Sequence, residues 1–321
     1  MKAVRVHNYG GPEVLKYEEA PMPAAGKGEA LVKISAAGLN FIDIQFRTGM
    51  YKTPNLPFTP GHEGAGTVSA IGDDVTEVKV GDRVAYAMSL GSYAEYAVVP
   101  AWKLVKLPDT MDFKLGAAIM LQGMTAHYLG YSTFPLKRGD KAVVHAAAGG
   151  VGLLLTQIAK NLGATVYGTV GNEAKADLAR AAGADTAIIY SKQDFEAEVK
   201  RLSSGGVDVV YDAVGASTFE KSLNCLRPRG MMVLYGQSSG PVQAMEPASL
   251  VKGSFFLTRP TLLHYSATRD EILWRTSDLF RWIGSGDLKV KVDHIFPLAE
   301  AGNAQEALAG RRTTGKVVLI P

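Results

Sequence analysis

The spacing of apolar and polar positions changes character along this chain. Over residues 1 to about 120, short runs such as ALVKISAAG, AGTVSAIG, DRVAYA and YAEYAVVP lie between Gly- and Pro-rich turns. Such short alternating runs, with little helical spacing among them, predict a β-rich domain, a partly closed barrel. From Lys141 to Pro260 the runs become short, apolar and rich in β-branched or aromatic residues: KAVVHAA, TVYGTV, TAIIY, VDVVYDAV, GMMVLYG and SFFLTRP. Segments of helical period, EAKADLARAAG and DFEAEVKRLSSG, lie between several of them. That alternation predicts right-handed crossovers and a parallel sheet covered on both faces. Six strands fit one doubly wound nucleotide-binding unit. After it come an amphipathic helix, RDEILWRTSDLFRWIGSG, then KVDHIFPL, a short helix and GKVVLIP. These last strands match the first region in style, so the chain is expected to return and complete it. The fold expected is α/β: a β-rich domain over 1–120, a doubly wound domain over 121–263, and completion of the first domain over 264–321.

One stretch, KAVVHAAAGGVGLLLTQIAK, breaks the simple pattern. Eighteen residues without a charged side chain separate Lys141 from Lys160, counting His145 as neutral. A run of about 18 apolar residues is near the lower limit for a bilayer span. Here, however, Ala142 to Ala147 is compact and partly β-branched, glycines at 149, 150 and 152 interrupt, and only then does a helical run begin. The order is strand, glycine turn, helix. Gly149, Gly150, Val151 and Gly152 complete a G-x-G-x-x-G fingerprint in which Ala147 replaces the first glycine. Gly149 would let the backbone approach a pyrophosphate, and Gly152 would let the helix pack closely on the strand. The helix amino terminus then offers free N–H groups to phosphates. A lone glycine motif is weak, but this one follows a strand and opens a helix within six alternating strands, which makes it a dinucleotide site.

Composition narrows the class without changing this picture. Hydrophobic residues are 47% and charged residues 20%, an ordinary balance for a globular chain. The net charge of +3 is thinly spread, and Arg311-Arg312 near Lys316 is too short a cluster for a nucleic-acid footprint. The start, MKAVRVHNYGG, has no apolar signal region. The single cysteine, Cys225, excludes an intrachain disulfide and a cysteine-rich metal site. A cytoplasmic enzyme acting on a small molecule, with no nucleic-acid or membrane partner, is expected.

The second strand bears on which nicotinamide cofactor is held. NAD binders place an acid at its end, about 20 residues on, to hold the ribose hydroxyls. Gly171 stands there, in GTVGNEAK, and Glu173 fits the first turn of the next helix, where the dipole favours a carboxylate. Lys175 opposes that dipole. A 2′-phosphate would offset the cost, so NADPH is preferred over NADH, the other reading being a solvated lysine paired with an acid.

Several motifs now add up to a resemblance. GPEVL (11–15), GLNFIDIQFRTGMY (38–51), HAAAGGVG (145–152), GTVGNEAK (168–175), VVYDAVG (209–215) and TRP (258–260) resemble those of the zinc-free, zeta-crystallin-like quinone oxidoreductases of the medium-chain dehydrogenase/reductase superfamily. The resemblance runs from the first strand to the last. It implies a GroES-like catalytic domain with a Rossmann domain, NADPH as cofactor, and a homodimer. Carried over position by position, it places cofactor contacts at Asn40, Phe41, Asp43 and Arg311 in the catalytic domain and at Thr125. In the Rossmann domain it places them at Gly149, Gly150, Val151 and Gly152 in the turn. Gly171, Lys175 and Tyr190 would meet the adenosine end, Tyr190 lying against the adenine and Lys175 with Arg311 supplying positive charge or hydrogen bonds. Val214, Gly236, Gln237, Ser238, Thr258 and Arg259 complete the set.

GHEGAGTVSAIGDDVTEVKVGDRV, residues 61–84, resembles instead the signature of the zinc alcohol dehydrogenases, whose histidine binds metal. Catalytic zinc needs three protein ligands. Where those enzymes have a cysteine three residues before an aspartate, this chain has Asn40 before Asp43; where they have a later cysteine, it has Leu121. His62 and Glu63 are therefore read as hydrogen-bonded turn residues, and no metal site is expected. Without a Lewis acid, alcohol oxidation is a poor candidate. A quinone or conjugated enone is already electrophilic, so the protein need only bind it beside the nicotinamide and control water and protons.

Asn40, Gln45, Tyr51 and Thr125 are the candidates for that chemistry. The resembling family often has tyrosine at the position of Gln45; its amide can donate a hydrogen bond to a carbonyl oxygen but cannot be a general acid. Tyr51 can donate a proton, matching a tyrosine of related enoyl-thioester reductases, or it is simply an amphipathic residue of the GMYKTPNLP loop. Quinone reduction is the leading expectation and reduction of α,β-unsaturated carbonyls the alternative, with cofactor binding without turnover as a third use of the fold. Cys225, His127 and His145 are read as packing or hinge residues. The spacing of Trp274 and Trp282, eight apart on one helix, also suggests packing. SFFLTRP, as the last strand of its sheet, would leave an apolar edge, which a second copy is expected to cover.

Overall fold

A computed structural model describes residues 1–53 and 55–321; Pro54, in the GMYKTPNLP loop, lies outside the described residues. The chain forms two compact units, one of Met1–Met124, Ser266–Arg281 and Val290–Pro321, the other of Thr125–Tyr265 and Trp282–Lys289.

The first unit opens with an antiparallel pair, β1 (Lys2–Val6) and β2 (Leu15–Glu19). β3 (Glu29–Leu39) is its longest strand, followed by the short helix α1 (Phe41–Arg47). Then come β4 (Glu63–Ile71), β5 (Arg83–Ala87), β6 (Tyr96–Pro100), β7 (Val105–Lys106) and the start of helix α2 (Phe113–Tyr128). β6 alternates buried and half-buried residues, the period of a strand with one face in the core.

The second unit is a six-stranded parallel sheet. Its strands are β8 (Lys141–Val144), β9 (Thr165–Val170), β10 (Thr186–Ile189), β11 (Val207–Asp212), β12 (Leu226–Leu234) and β13 (Phe256–Thr258). The helices between them are α3 (Gly150–Asn161), α4 (Glu173–Ala181), α5 (Phe195–Ser203) and α6 (Phe219–Asn224). The order β10-β9-β8-β11-β12-β13, with every pairing parallel, is the doubly wound arrangement expected from the alternation of strands and helices. β8 and β11 are almost continuously buried because helices cover both faces of such a sheet. Ligands in this topology meet the carboxyl ends of the strands where the order reverses, between β8 and β11.

After β13 the chain forms α7 (Leu262–Tyr265), α8 (Arg269–Ser285), β14 (Val292–Pro297), α9 (Ala301–Ala309) and β15 (Lys316–Ile320). β15 pairs antiparallel with β3, so the carboxy-terminal strand lies in the sheet of the first unit.

Some elements differ from the sequence reading. The KAVVHAA strand stops at Val144, because Ala146 turns with φ of 51° and begins the glycine loop. GMMVLYG is the end of a longer strand whose pairing with β11 shifts between Val207 and Val209, a bulge that admits Leu226 to the sheet. SFFLTRP contributes only three strand residues. The two tryptophans do not share one role. Trp282 stacks on His127 and Tyr131, whereas Trp274 is 47% exposed and lies against the guanidinium of Arg275.

Candidate functional site

In the second unit the glycine turn stands at the carboxyl end of β8. Gly149 is the residue before α3, its N–H donating to Ala146 O at 2.8 Å, and Leu153 N–H closes the first helical turn onto Gly149 O. A side chain at Gly152 would put its Cβ 2.3 Å from Ala146 O, so only glycine lets the helix sit this close to the strand. Gly150 and Val151 begin the helix itself, and both are half-buried.

A buried polar network holds the neighbouring strand ends. Asp212, wholly buried at the end of β11, accepts hydrogen bonds from Val214 N (2.7 Å) and Gly215 N (3.0 Å) through one oxygen. Its other oxygen takes the hydroxyls of Thr218 (2.7 Å) and Ser222 (3.3 Å). Ser222 also meets His145 Nε2 at 2.9 Å, and His145 Nδ1 meets Thr169 at 2.8 Å. Burial lowers the His145 pKa, Asp212 opposing, so the imidazole is held neutral and works as a spacer between β8, β9 and α6. The loop bearing Val214 is fixed again from the β12 side, where Ser238 N–H donates to Ala213 O and Ser239 donates to Val214 O. A Cβ at Gly236 would meet Ala213 O at 2.6 Å, so this loop approaches as closely as the first. Gln237 continues the same loop, Thr258 closes β13, and Arg259 beyond it donates to Leu234 O.

The end of β9 forms a third rim. α4 starts at Glu173, and Asn172 before it accepts from Lys175 N–H at 2.9 Å, the amino-terminal capping expected of an asparagine there. Tyr190 is 47% exposed, and its hydroxyl would lie 2.9 Å from a Cβ on Gly171. Thr125, the first residue of this unit, is buried on α2. Cys225 is enclosed after α6, and burial pushes its thiol up to about 12, which removes it as a nucleophile.

In the first unit the site residues gather where β3 meets α1. The backbone N–H of Asn40 donates to Asp43 at 2.9 Å, and the same carboxylate receives His62 Nδ1 (2.7 Å) and the Tyr93 hydroxyl (3.0 Å). Burial, then the Asp43 charge, raises the Tyr93 phenol well above its ordinary value, so it is a fixed donor. Asp43 has no exposed surface and anchors Asn40 and His62. Asn40 is committed as well. Its Nδ2 donates to Glu63 (2.9 Å) and Gly38 O (3.3 Å), and its Oδ1 accepts from Lys316 Nζ at 2.8 Å. Lys316 also reaches Glu63, whose second oxygen takes Leu121 N–H at 2.6 Å. Around this core Phe41 is 38% exposed, Gln45 is half-buried, and Phe46 packs on His62 with ring centroids 4.6 Å apart. Tyr51 meets Phe46 edge-on at 5.7 Å, its N–H donating to Gln45 O, and its ring is 37% exposed. Arg311 lies in this unit just past α9, with φ of 57°.

Two family models match the chain: an alcohol dehydrogenase GroES-like domain over residues 26–109 and a zinc-binding dehydrogenase over 150–272. A quinone oxidoreductase of Pseudomonas aeruginosa is 46% identical over 100% of this chain and 99% of its own. The chain belongs to the quinone oxidoreductase family. A 2-haloacrylate reductase of a Burkholderia species is 42% identical over 99% of this chain and 98% of its own. The crystal structure of Escherichia coli quinone oxidoreductase complexed with NADPH superposes with a TM-score of 0.98 at 42% identity, covering 100% of both chains.

The residues around His62 in this member of the quinone oxidoreductase family differ in chemistry from a zinc site. Asn40 and Leu121 offer no thiolate, Asp43 and His62 bind each other, and the counter-charge to Glu63 is an ammonium. Among the described residues no three His, Cys, Asp or Glu side chains converge as metal ligands. Lys316, Tyr93 and Asp212 were not singled out in the sequence. Asp212 alone left a trace there, an acid at the end of an apolar strand followed by glycine.

Proposed function

We infer that the protein reduces quinones with NADPH and without a metal, and the observation that carries this reading is the full-length likeness to a quinone oxidoreductase structure holding NADPH. The glycine turn and the Val214 loop fit such a cofactor: at Gly152 and Gly236 a Cβ would strike the protein's own backbone, the close packing that a dinucleotide-binding turn requires. When bound, NADPH supplies a hydride. Gly149 to Gly152 would hold its pyrophosphate, Lys175 and Tyr190 its adenosine end, and Thr125 its nicotinamide side. Gln45 donates to a substrate carbonyl. Asn40, with both ends of its amide already bound, keeps the wall beside it rigid instead of moving protons.

Tyr51 decides between two substrate classes. The 42% identical 2-haloacrylate reductase supports a second reading, in which an activated alkene is reduced and the Tyr51 phenol delivers a proton to the resulting carbanion or enolate. A quinone leaves an oxygen anion stable enough to take its proton from water. Tyr51→Phe is therefore expected to hold quinone kcat within about tenfold, a barrier change under roughly 1.4 kcal/mol. Turnover of enals by the same variant should drop about 10²–10⁴-fold, the usual contribution of a positioned acid. Steady-state rates with NADPH over a panel of ortho- and para-quinones and enals test this. No turnover of any quinone overturns the main reading, and a hundredfold loss with quinones in Tyr51→Phe moves the alkene reading ahead.

The active form is proposed to be a homodimer. β13 is the open edge of the parallel sheet, with Phe256 57% and Leu257 39% exposed, and nearby Val251 79% exposed. The strand is only three residues long, but the exposed apolar side chains on and beside it form a surface that a second copy would cover. Sedimentation at micromolar concentration should give a dimer, and Phe256→Lys a monomer; a monomeric parent protein rejects the proposal.

A further inference from the structure

The rim at the end of β9 contains an acid that ought to work against NADPH. Glu173 lies two residues beyond Gly171, where dinucleotide folds that take NADH present a carboxylate to the ribose hydroxyls. Left free, it would offer that acceptor to NADH and repel a 2′-phosphate of charge near −2. It is not free. Lys192 Nζ holds Glu173 Oε1 at 2.8 Å, and Arg180 Nη2 stands 3.9 Å from its other oxygen. The Lys192 bond is the chief cause of the lowered Glu173 pKa.

Lys192 reaches Glu173 from the turn after β10, which is itself tied to the rim. Ser191 donates to Gly171 O at 3.0 Å, and Tyr190 overlies Gly171. Three cations (Lys175, Arg180 and Lys192) thus stand with two acids (Glu173 and Asp177), and Asp177 is engaged by Arg180 at 2.7 Å. Glu173 and Lys192 are both exposed, with side-chain accessibilities of 59% and 60%, so the pair adds little to folding stability. What it fixes is where a carboxylate points in a rim that discriminates between two cofactors.

We propose that Lys192 is a specificity-determining residue for NADPH, acting by holding the Glu173 carboxylate away from the adenosine ribose. It rests on the NADPH reading given above. Lysine also leaves the rim net positive, so the preference it creates should weaken as salt is added, on the scale of a Debye length of about 10 Å at 0.1 M.

The test is Lys192→Ala, assayed with one quinone and either cofactor. Expected is a fall in the NADPH-over-NADH ratio of kcat/KM of about tenfold, read chiefly in the cofactor KM, with NADH used better than by the parent. In Lys192→Ala with Glu173→Gln no carboxylate is released. The gain with NADH should then vanish, and NADPH should return to within about threefold of the parent. An unchanged ratio in Lys192→Ala, or equal losses with both cofactors, overturns the proposal. So does a double variant that keeps the full NADPH loss, because Lys192 would then bind the phosphate directly. A parent enzyme that prefers NADH overturns the NADPH reading itself, and the proposal with it.

Discussion

Lys316→Met is expected to lower folding stability by about 3–5 kcal/mol, the cost of removing one partner of a buried ion pair. The lysine and Glu63 side chains are 1% and 0% exposed, and the ammonium also holds the Asn40 amide. Methionine keeps the stem and its packing but leaves Glu63 without a counter-charge, where water cannot compensate. Adding Glu63→Gln removes that charge. The double variant should recover at least half of the loss, because two neutral side chains of similar volume can replace a buried pair at little cost. Urea denaturation of the parent, both single variants and the double variant measures the cycle. A Lys316→Met midpoint equal to that of the parent would show that the pair contributes nothing.

Gly152→Val is expected to abolish useful NADPH affinity. The new Cβ would lie 2.3 Å from Ala146 O and 2.8 Å from the Ala147 Cα, both backbone atoms that no rotamer change can move aside. Ala146 O already accepts from Gly149 N–H, so relief requires the whole turn to open. Overpacking of this kind costs about 1–3 kcal/mol of stability. Displacing the N–H groups proposed to hold the pyrophosphate by about 1 Å should weaken the cofactor complex by two orders of magnitude or more. Gly149→Ala provides the graded comparison, because its Cβ meets the same oxygen at 3.1 Å and a small shift accommodates it. Fluorescence titration with NADPH reads both variants. Parent-like affinity in Gly152→Val would mean the turn does not hold the pyrophosphate.

What could be read from the sequence was whatever is encoded locally. The six parallel strands and the glycine turn each lie within a dozen residues, and period and turn chemistry identify them. The return of GKVVLIP was suggested by strands of one sheet sharing a style. Lys316 was not, since a lysine opening an apolar strand looks like a solvated strand end until β15 is laid beside β3. The bulge that brings Leu226 into β12 is set by pairing with β11 and has no local signature. Asp43 shows the same limit from the other side. Its place three residues after Asn40 was visible, but not that Tyr93 and His62 would enclose it.

The ion pair between Glu63 and Lys316 joins positions 253 residues apart, and this has a bearing on synthesis. On the ribosome, strands β8 to β13 and their helices are all translated before β15, so the nucleotide-binding sheet can assemble while the chain is still growing. The first unit cannot. The end of its longest strand, Ala37 to Leu39 of β3, waits for β15, and Glu63 for a cation, until almost the last residues emerge. The first unit, although begun first, is therefore the last to close, and a nascent chain halted after β13 would hold the strands of the parallel sheet while still lacking β15 of the first unit and the Trp282–Lys289 segment of the second.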